Sequence, residues 1–258
     1  MRSILCLLMF VVPLLAAPVW AEKPRAVLAA TPLSRMDLPW WRERHEAKLG
    51  ELRRVRPDLI FLGDSITQNW ELRGPPDWAN FEPVWQHFYG GRNAVNLGFT
   101  GDATAHLLWR IENGETAGIA PKVAVVLIGA NNMGKLHWPE EDTLAGFDAI
   151  VRALRQRLPA TKILLLGVLP SDRSPWVTTT TTAINRALAG RYRADTAVTF
   201  LDVGHVLLRD GHLNRDLFYD PKLERPSPPL HPSAEGQRLI AKAIEPTLAA
   251  LLGDKARQ

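Results

Sequence analysis

The stretch Asp58–Gln68, DLIFLGDSITQ, decides the fold. Leu59, Ile60, Phe61 and Leu62 form a short apolar run rich in strand formers. Its length suits a strand buried on both faces of a parallel sheet. Gly63 breaks the run, and Asp64 and Ser65 follow. A strand that stops at glycine and turns over a serine presents that hydroxyl at the sheet's C-terminal edge. In open α/β sheets that edge is where ligands bind. An ordinary strand-to-helix turn with Ser65 as N-cap fits the same residues. The choice therefore rests on what else reaches the edge.

Upstream, Trp41, His45, Leu49 and Leu52 fall at helical spacing and predict a helix over Trp40–Val55 that Pro57 ends. Downstream, strands are predicted at Asn93–Leu97, Val123–Ile128, Lys162–Val168 and Thr196–Leu201. Helices are predicted at Thr104–Glu112, Thr143–Leu158, from Thr178 through Leu188, and at Ser233–Leu252 with a kink at Pro246. The aromatic-rich segment around Trp78, Phe81, Trp85 and Tyr89 leaves room for another helix on the sheet. Ser171–Trp176 and Leu208–Leu230 read as loops. Strands alternating with helices predict a parallel sheet covered on both faces. The fold expected is a three-layer α/β/α, flavodoxin-like arrangement of five parallel strands in the order 2-1-3-4-5. Residues 39–253 form the domain, 22–38 a loosely ordered lead-in and 254–258 a tail.

The first residues read as targeting. Arg2 gives a basic start, Ile4–Leu15 an apolar run and Val19-Trp20-Ala21 a small-residue cleavage site. A signal peptide over residues 1–21 and a periplasmic or secreted location are expected. The apolar run is short for a span and holds Pro13, and no other stretch is long enough to cross a bilayer. Cys6 is the single cysteine. The mature chain thus has no disulfide, thiolate metal site or cysteine nucleophile. A net charge of +4, with basic residues scattered, gives no case for nucleic acid. The dense group Arg53-Arg54-Val55-Arg56 suits a helix C-terminus.

Three predicted strands end alike: at Gly63-Asp64-Ser65, at Gly98, and at Gly129-Ala130-Asn131-Asn132. In a 2-1-3 order those ends are neighbours. A serine hydroxyl, a glycine N–H and an asparagine amide would converge there as an attacking group and an oxyanion hole. A general base is still required. Of seven histidines, His45, His87 and His106 sit beside packing residues, and His137, His205 and His212 have no evident partner. His231, in LHPSAEG, precedes the last helix, whose N-terminus opens on the same edge, so it can serve Ser65.

These blocks resemble the SGNH (GDSL-type) hydrolases, and within them the branch containing the catalytic subunits of intracellular platelet-activating-factor acetylhydrolase. The blocks are GDSIT (63–67), NLGFTGD (96–102), IGANN (128–132) and LHPSAEG (230–236), with LLWRIENGE (107–115) and KILLLGVLP (162–170) alongside. The resemblance runs from about Trp40 to Leu252. It implies Ser65 as nucleophile, His231 as base, and Ser65 N–H, Gly98 N–H and the Asn131 amide as oxyanion hole. No metal or organic cofactor is implied. Asp64 reads as a residue that holds the turn.

One departure stands out. The family pattern is Asp-x-x-His, but Pro228 occupies the position three before His231. If Pro221–Pro228 is an insertion, Asp220 can fold back to the ring. Glu224 and a backbone carbonyl are the alternatives, and Asp220 is favoured.

The expected function is a secreted serine esterase acting on short acyl, chiefly acetyl, esters of small molecules or carbohydrates through an acyl-enzyme. An O-acyltransferase or deacetylase on polysaccharide is the nearest alternative. A non-catalytic carbohydrate-binding protein is the third, with Trp40, Trp41, Trp70, Trp78, Trp85, Trp138 and Trp176 as stacking platforms.

Overall fold

The computed structural model describes residues 25–258. The expected signal peptide at residues 1–21 lies outside them. Helix α1 (Pro39–Val55) starts with Pro39 in its first turn and ends at Arg56 in the left-handed conformation. Then follow β1 (Leu59–Gly63), the short α2 (Ser65–Gln68), α3 (Glu82–Phe88), β2 (Ala94–Gly98) and α4 (Thr104–Arg110). Next come β3 (Val123–Leu127), the one-turn α5 (Ala130–Gly134), α6 (Glu140–Arg157) and β4 (Lys162–Leu166). The chain closes with α7 (Pro175–Arg191), β5 (Val198–Leu201) and α8 (Ala234–Leu252).

The five strands are parallel in the order β2-β1-β3-β4-β5, as the alternation predicts. Alternate strand residues feed two cores. Ile60, Leu62, Val95, Leu97, Val126 and Leu165 face α4, α6 and α7, where Phe147, Ile150, Leu154 and Leu188 meet them. Leu59, Phe61, Val125, Leu127 and Leu164 face α3 and α8, where Phe88, Ile240, Ile244 and Leu248 meet them. A sheet buried on both faces explains why these strands read as unbroken apolar runs.

Some boundaries differ from expectation. Helix α7 begins at Pro175, because Ser174 accepts from Val177 N–H and Pro175 suits a first turn. Helix α8 is assigned continuously through Pro246, whose side lies exposed. The segment 25–38, expected to be loose, is tied down. Ala29 is buried, its carbonyl accepts from Thr104 Oγ1 at 2.8 Å, and Leu33 N–H donates to Ala105 O at 3.1 Å. The predicted loop 208–230 carries a small antiparallel hairpin, Leu208–Arg209 with His212–Leu213, and two single 3-10 turns.

Candidate active site

Ser65 is the first residue of α2, directly past the end of β1. Asp64 caps that turn: its Oδ1 accepts from Ile66 N–H at 2.9 Å. Glycine at the strand tips lets α2 lie this close. A Cβ on Gly63 would stand 2.1 Å from Thr67 Oγ1, and one on Gly98 would stand 2.1 Å from Gln68 N.

Ser65 is buried, and its Oγ lies 2.9 Å from His231 Nε2. The other ring nitrogen, Nδ1, lies 2.6 Å from Asp220 Oδ1. Asp220 Oδ2 accepts the backbone N–H groups of Leu230 (2.8 Å) and His231 (2.6 Å). Burial pushes the Asp220 carboxyl up. The His231 ring and the two backbone N–H groups outweigh burial and hold it below the usual carboxylate range. The structure thus brings Ser65, His231 and Asp220 together. Glu224 is exposed, and no backbone carbonyl takes the place of Asp220 at Nδ1.

The segment around Asp220 is clamped at its base. Phe218 bridges Pro232, Tyr219 N–H donates to His231 O at 3.1 Å, and Ser233 N–H donates to Leu217 O at 2.7 Å. Leu217 and Phe218 are buried beneath. The chain from Asp220 to His231, a separation of eleven positions, therefore leaves and returns at one point. The Tyr219 ring lies flat on the His231 ring, centroids 5.2 Å apart and planes 8° apart. Its hydroxyl accepts from Asn69 Nδ2 at 2.8 Å, and Trp78 stacks on its far side at 5.5 Å. This aromatic backing of the histidine was missed in the sequence. The signal was Tyr219 standing next to the carboxylate.

At the tip of β3, Gly129 turns with φ 113°, where a Cβ would meet Phe147 and Val168 at 3.0 Å. Asn131 then points to the edge, and its Nδ2 donates to Asp102 O at 3.0 Å, leaving its second N–H for a ligand. Asn132 turns away and grips Thr104 through N–H (3.0 Å) and Oγ1 (2.7 Å), fixing α5 against α4.

Gly98 requires a correction. Its N–H donates to Asn96 Oδ1 at 2.8 Å and is not free for an oxyanion. Gly98 is glycine because α2 packs on it. Further along, Thr100 N–H donates to Gln68 Oε1 and Asp102 N–H to Phe99 O. Between them the N–H of Gly101, at φ 78°, donates to no group among the described residues.

Below this edge lies a buried ionic cluster. Arg110 donates to Asp102 Oδ2 (2.8 Å), to Glu115, and to the carbonyls of Leu97 and Gly63 (3.1 Å each). Asp102 Oδ1 also accepts from Trp41 Nε1 and Arg35, each at 2.9 Å. The cluster joins the tips of β1 and β2 to the loop whose carbonyl holds Asn131.

The expected sugar platforms divide. Trp41 and Trp70 are buried core, while Trp40 and Trp176 are about two-fifths exposed. Among the described residues no cluster of histidine, cysteine or acidic side chains could hold a metal ion, and no helix is long and apolar enough to cross a membrane.

A family model described as the GDSL-like lipase/acylhydrolase family matches residues 61–239. Platelet-activating factor acetylhydrolase IB subunit alpha1 from Homo sapiens is 31% identical over 218 residues, covering 82% of this chain and 84% of that protein. Subunit alpha2 from Gallus gallus is 34% identical over 135 residues, so that match spans 52% of this chain and about half, 54%, of the relative. The crystal structure of a GDSL-like lipase from Bacteroides thetaiotaomicron shares the fold, with a TM-score of 0.62 at 16% identity over 81% of this chain and 97% of that one.

Proposed function

The chain belongs to the GDSL-like lipase/acylhydrolase family of SGNH-type hydrolases, and from that premise we propose that it is an exported serine esterase that removes short acyl groups, acetyl above all, through an acyl-enzyme. The observation that carries this reading is the relay from Ser65 Oγ to His231 Nε2 and from His231 Nδ1 to Asp220, at 2.9 and 2.6 Å.

Ser65 Oγ attacks the acyl carbonyl carbon while His231 Nε2 takes its proton. Asp220 holds the ring by Nδ1 and stabilises the imidazolium as it forms. The oxygen that becomes negative is met by Ser65 N–H, the second Asn131 N–H and Gly101 N–H, the last in place of Gly98. His231 returns its proton to the leaving alcohol, and the acyl group stays on Ser65. Water then repeats the sequence and releases the acid. The acetyl preference draws on the name of the alpha1 and alpha2 relatives, which are acetylhydrolases.

A fluorophosphonate probe should label the protein on Ser65, and Ser65→Ala should escape labelling and lose ester hydrolysis. Labelling that persists in the variant would refute the assignment. Export draws on the tripartite N-terminus. Mass spectrometry of the native protein should find a mature start at or near Glu22, and an intact Met1 start would contradict it.

A further inference from the structure

Arg173 stands at the mouth of this site with part of its guanidinium uncommitted. Its Nη2 donates to Ala130 O at 2.8 Å, the carbonyl just before Asn131, and its Nε donates to Ser171 Oγ at 3.3 Å. Nη1 has no hydrogen-bond partner among the described residues, and no carboxylate lies within ion-pair distance of the group. The neighbouring Asp172 does not neutralise it, because that carboxylate is taken by Arg215 at 2.9 Å.

The guanidinium is seated on α5, and the backbone beside it is anchored on the other side of the site. Gly134, at the end of α5, leaves a notch that the guanidinium fills: a Cβ there would lie 1.6 Å from Nη1. On the other side Asp172 N–H donates to Pro229 O at 3.2 Å, in the strand of chain that leads into His231. Arg173 thus borders the segment bearing Asn131 through its guanidinium, while the backbone of its neighbour Asp172 borders the segment leading into His231. Burial pulls its pKa down, against the opposing charges of Asp64 and Asp220. Lys135 adds a second cation nearby, its Nζ 3.2 Å from where a Gly101 Cβ would lie.

A planar fork held half-buried, with donors free and no partner, matches the geometry of a carboxylate or phosphate. His231 is the group that protonates the leaving alcohol, so the His231 side of the site is where the alcohol half rests. We propose that Arg173 forms an anion subsite that selects esters whose alcohol half carries a carboxylate or a phosphate. This rests on the esterase reading and names its substrate class.

The test compares three aryl acetates on the whole protein: 4-acetoxybenzoate, 4-acetoxyphenyl phosphate and the neutral methyl 4-acetoxybenzoate. The quantity read is the ratio of kcat/KM for each anionic ester to that for the neutral one. Taking that ratio in wild type and variant cancels differences between leaving groups. It also cancels any general loss from a disturbed Ala130 contact. In Arg173→Gln the ratio should fall about tenfold for at least one anionic ester, the value of one charge-assisted hydrogen bond. Which ester responds separates carboxylate from phosphate as the source. Arg173→Lys should restore part of the ratio, and added salt should lower it in the wild type.

Gly134→Ala is a second route to the same result, because its methyl takes the guanidinium's place and the flexible arginine yields. It too should lower the ratio. Should Arg173→Gln fail to fold, this variant and the salt series carry the test. A ratio unchanged in the folded variants would overturn the subsite while turnover of the neutral ester leaves the esterase reading standing. If the wild type hydrolyses none of the three esters, the esterase reading itself fails and the subsite with it.

Discussion

Asp220 Oδ1 lies 2.6 Å from His231 Nδ1 although the family spacing of three residues has become eleven. The carboxylate's second oxygen is already engaged by two backbone N–H groups. That arrangement fixes what an amide would do there. In Asp220→Asn the carbonyl oxygen would take the two N–H donors, so the NH2 would face Nδ1. The ring would then carry its proton on Nε2 and could not accept one from Ser65. A loss of kcat of about 10⁴-fold is expected, with circular dichroism unchanged. A loss below about tenfold would show that His231 works without this partner.

The Asn131 amide is held by one N–H to Asp102 O, which leaves the other for developing negative charge. Removing one such donor costs roughly 10²–10³-fold in turnover. Asn131→Ala should lower kcat by that order with little change in KM. Steady-state kinetics on an aryl acetate distinguishes this from a loss confined to KM, which would make Asn131 a ground-state binding group.

The sheet order, Ser65, Asn131 and the return of Asp220 to His231 were legible because each rests on a local pattern. Apolar runs stop at Gly63, Gly98 and Gly129, and Pro228 in the usual acid's place points to a partner elsewhere, with Asp220 favoured over Glu224 and a backbone carbonyl. The role of Gly98 was not legible. Whether a backbone N–H is free depends on where the Asn96 side chain folds, and that side chain turns back on Gly98 itself. Gly101, which nothing in NLGFTGD singles out, stands apart only once Asn96, Gln68 and Phe99 claim the neighbouring N–H groups. Trp78 stacks on Tyr219 from 141 positions away, and Tyr219 in turn stacks on His231; no periodicity marks the long-range contact. The lead-in looked loose because its Pro- and Ala-rich composition says nothing of Arg35, which reaches Asp102.

Arg110 is fully buried among Asp102, Glu115 and two strand-end carbonyls. The Phe99 ring lies under its guanidinium at 4.0 Å. Removing the cation alone leaves two buried carboxylates without their partner, which costs about 3–5 kcal/mol. Arg110→Met should lower the unfolding free energy by that amount in urea titration. A change under about 1 kcal/mol would mean that Arg35, 2.9 Å from Asp102, and His45, whose Nδ1 lies 3.5 Å from Glu115, suffice to hold the two acids.

Asp64 is buried beside Ser65, and its carboxyl is pushed up to about 6. Burial is the largest cause. The Ile66 N–H and the charges of His231 and Arg173 pull it down, and Asp102 pushes it up further. Between the ordinary value of 3.8 and about 6 the folded protein binds more protons than the unfolded chain. Its stability therefore falls as pH rises through that interval, by up to roughly 3 kcal/mol, and stays lowered above it. Asparagine at this position keeps an oxygen for the Ile66 N–H and carries no charge to bury. Asp64→Asn should thus gain little at pH 4 and most at pH 8, where the wild type holds a buried carboxylate. Urea unfolding of both proteins at the two pH values measures the difference. A gain of equal size at both would show that the effect is packing and not the proton.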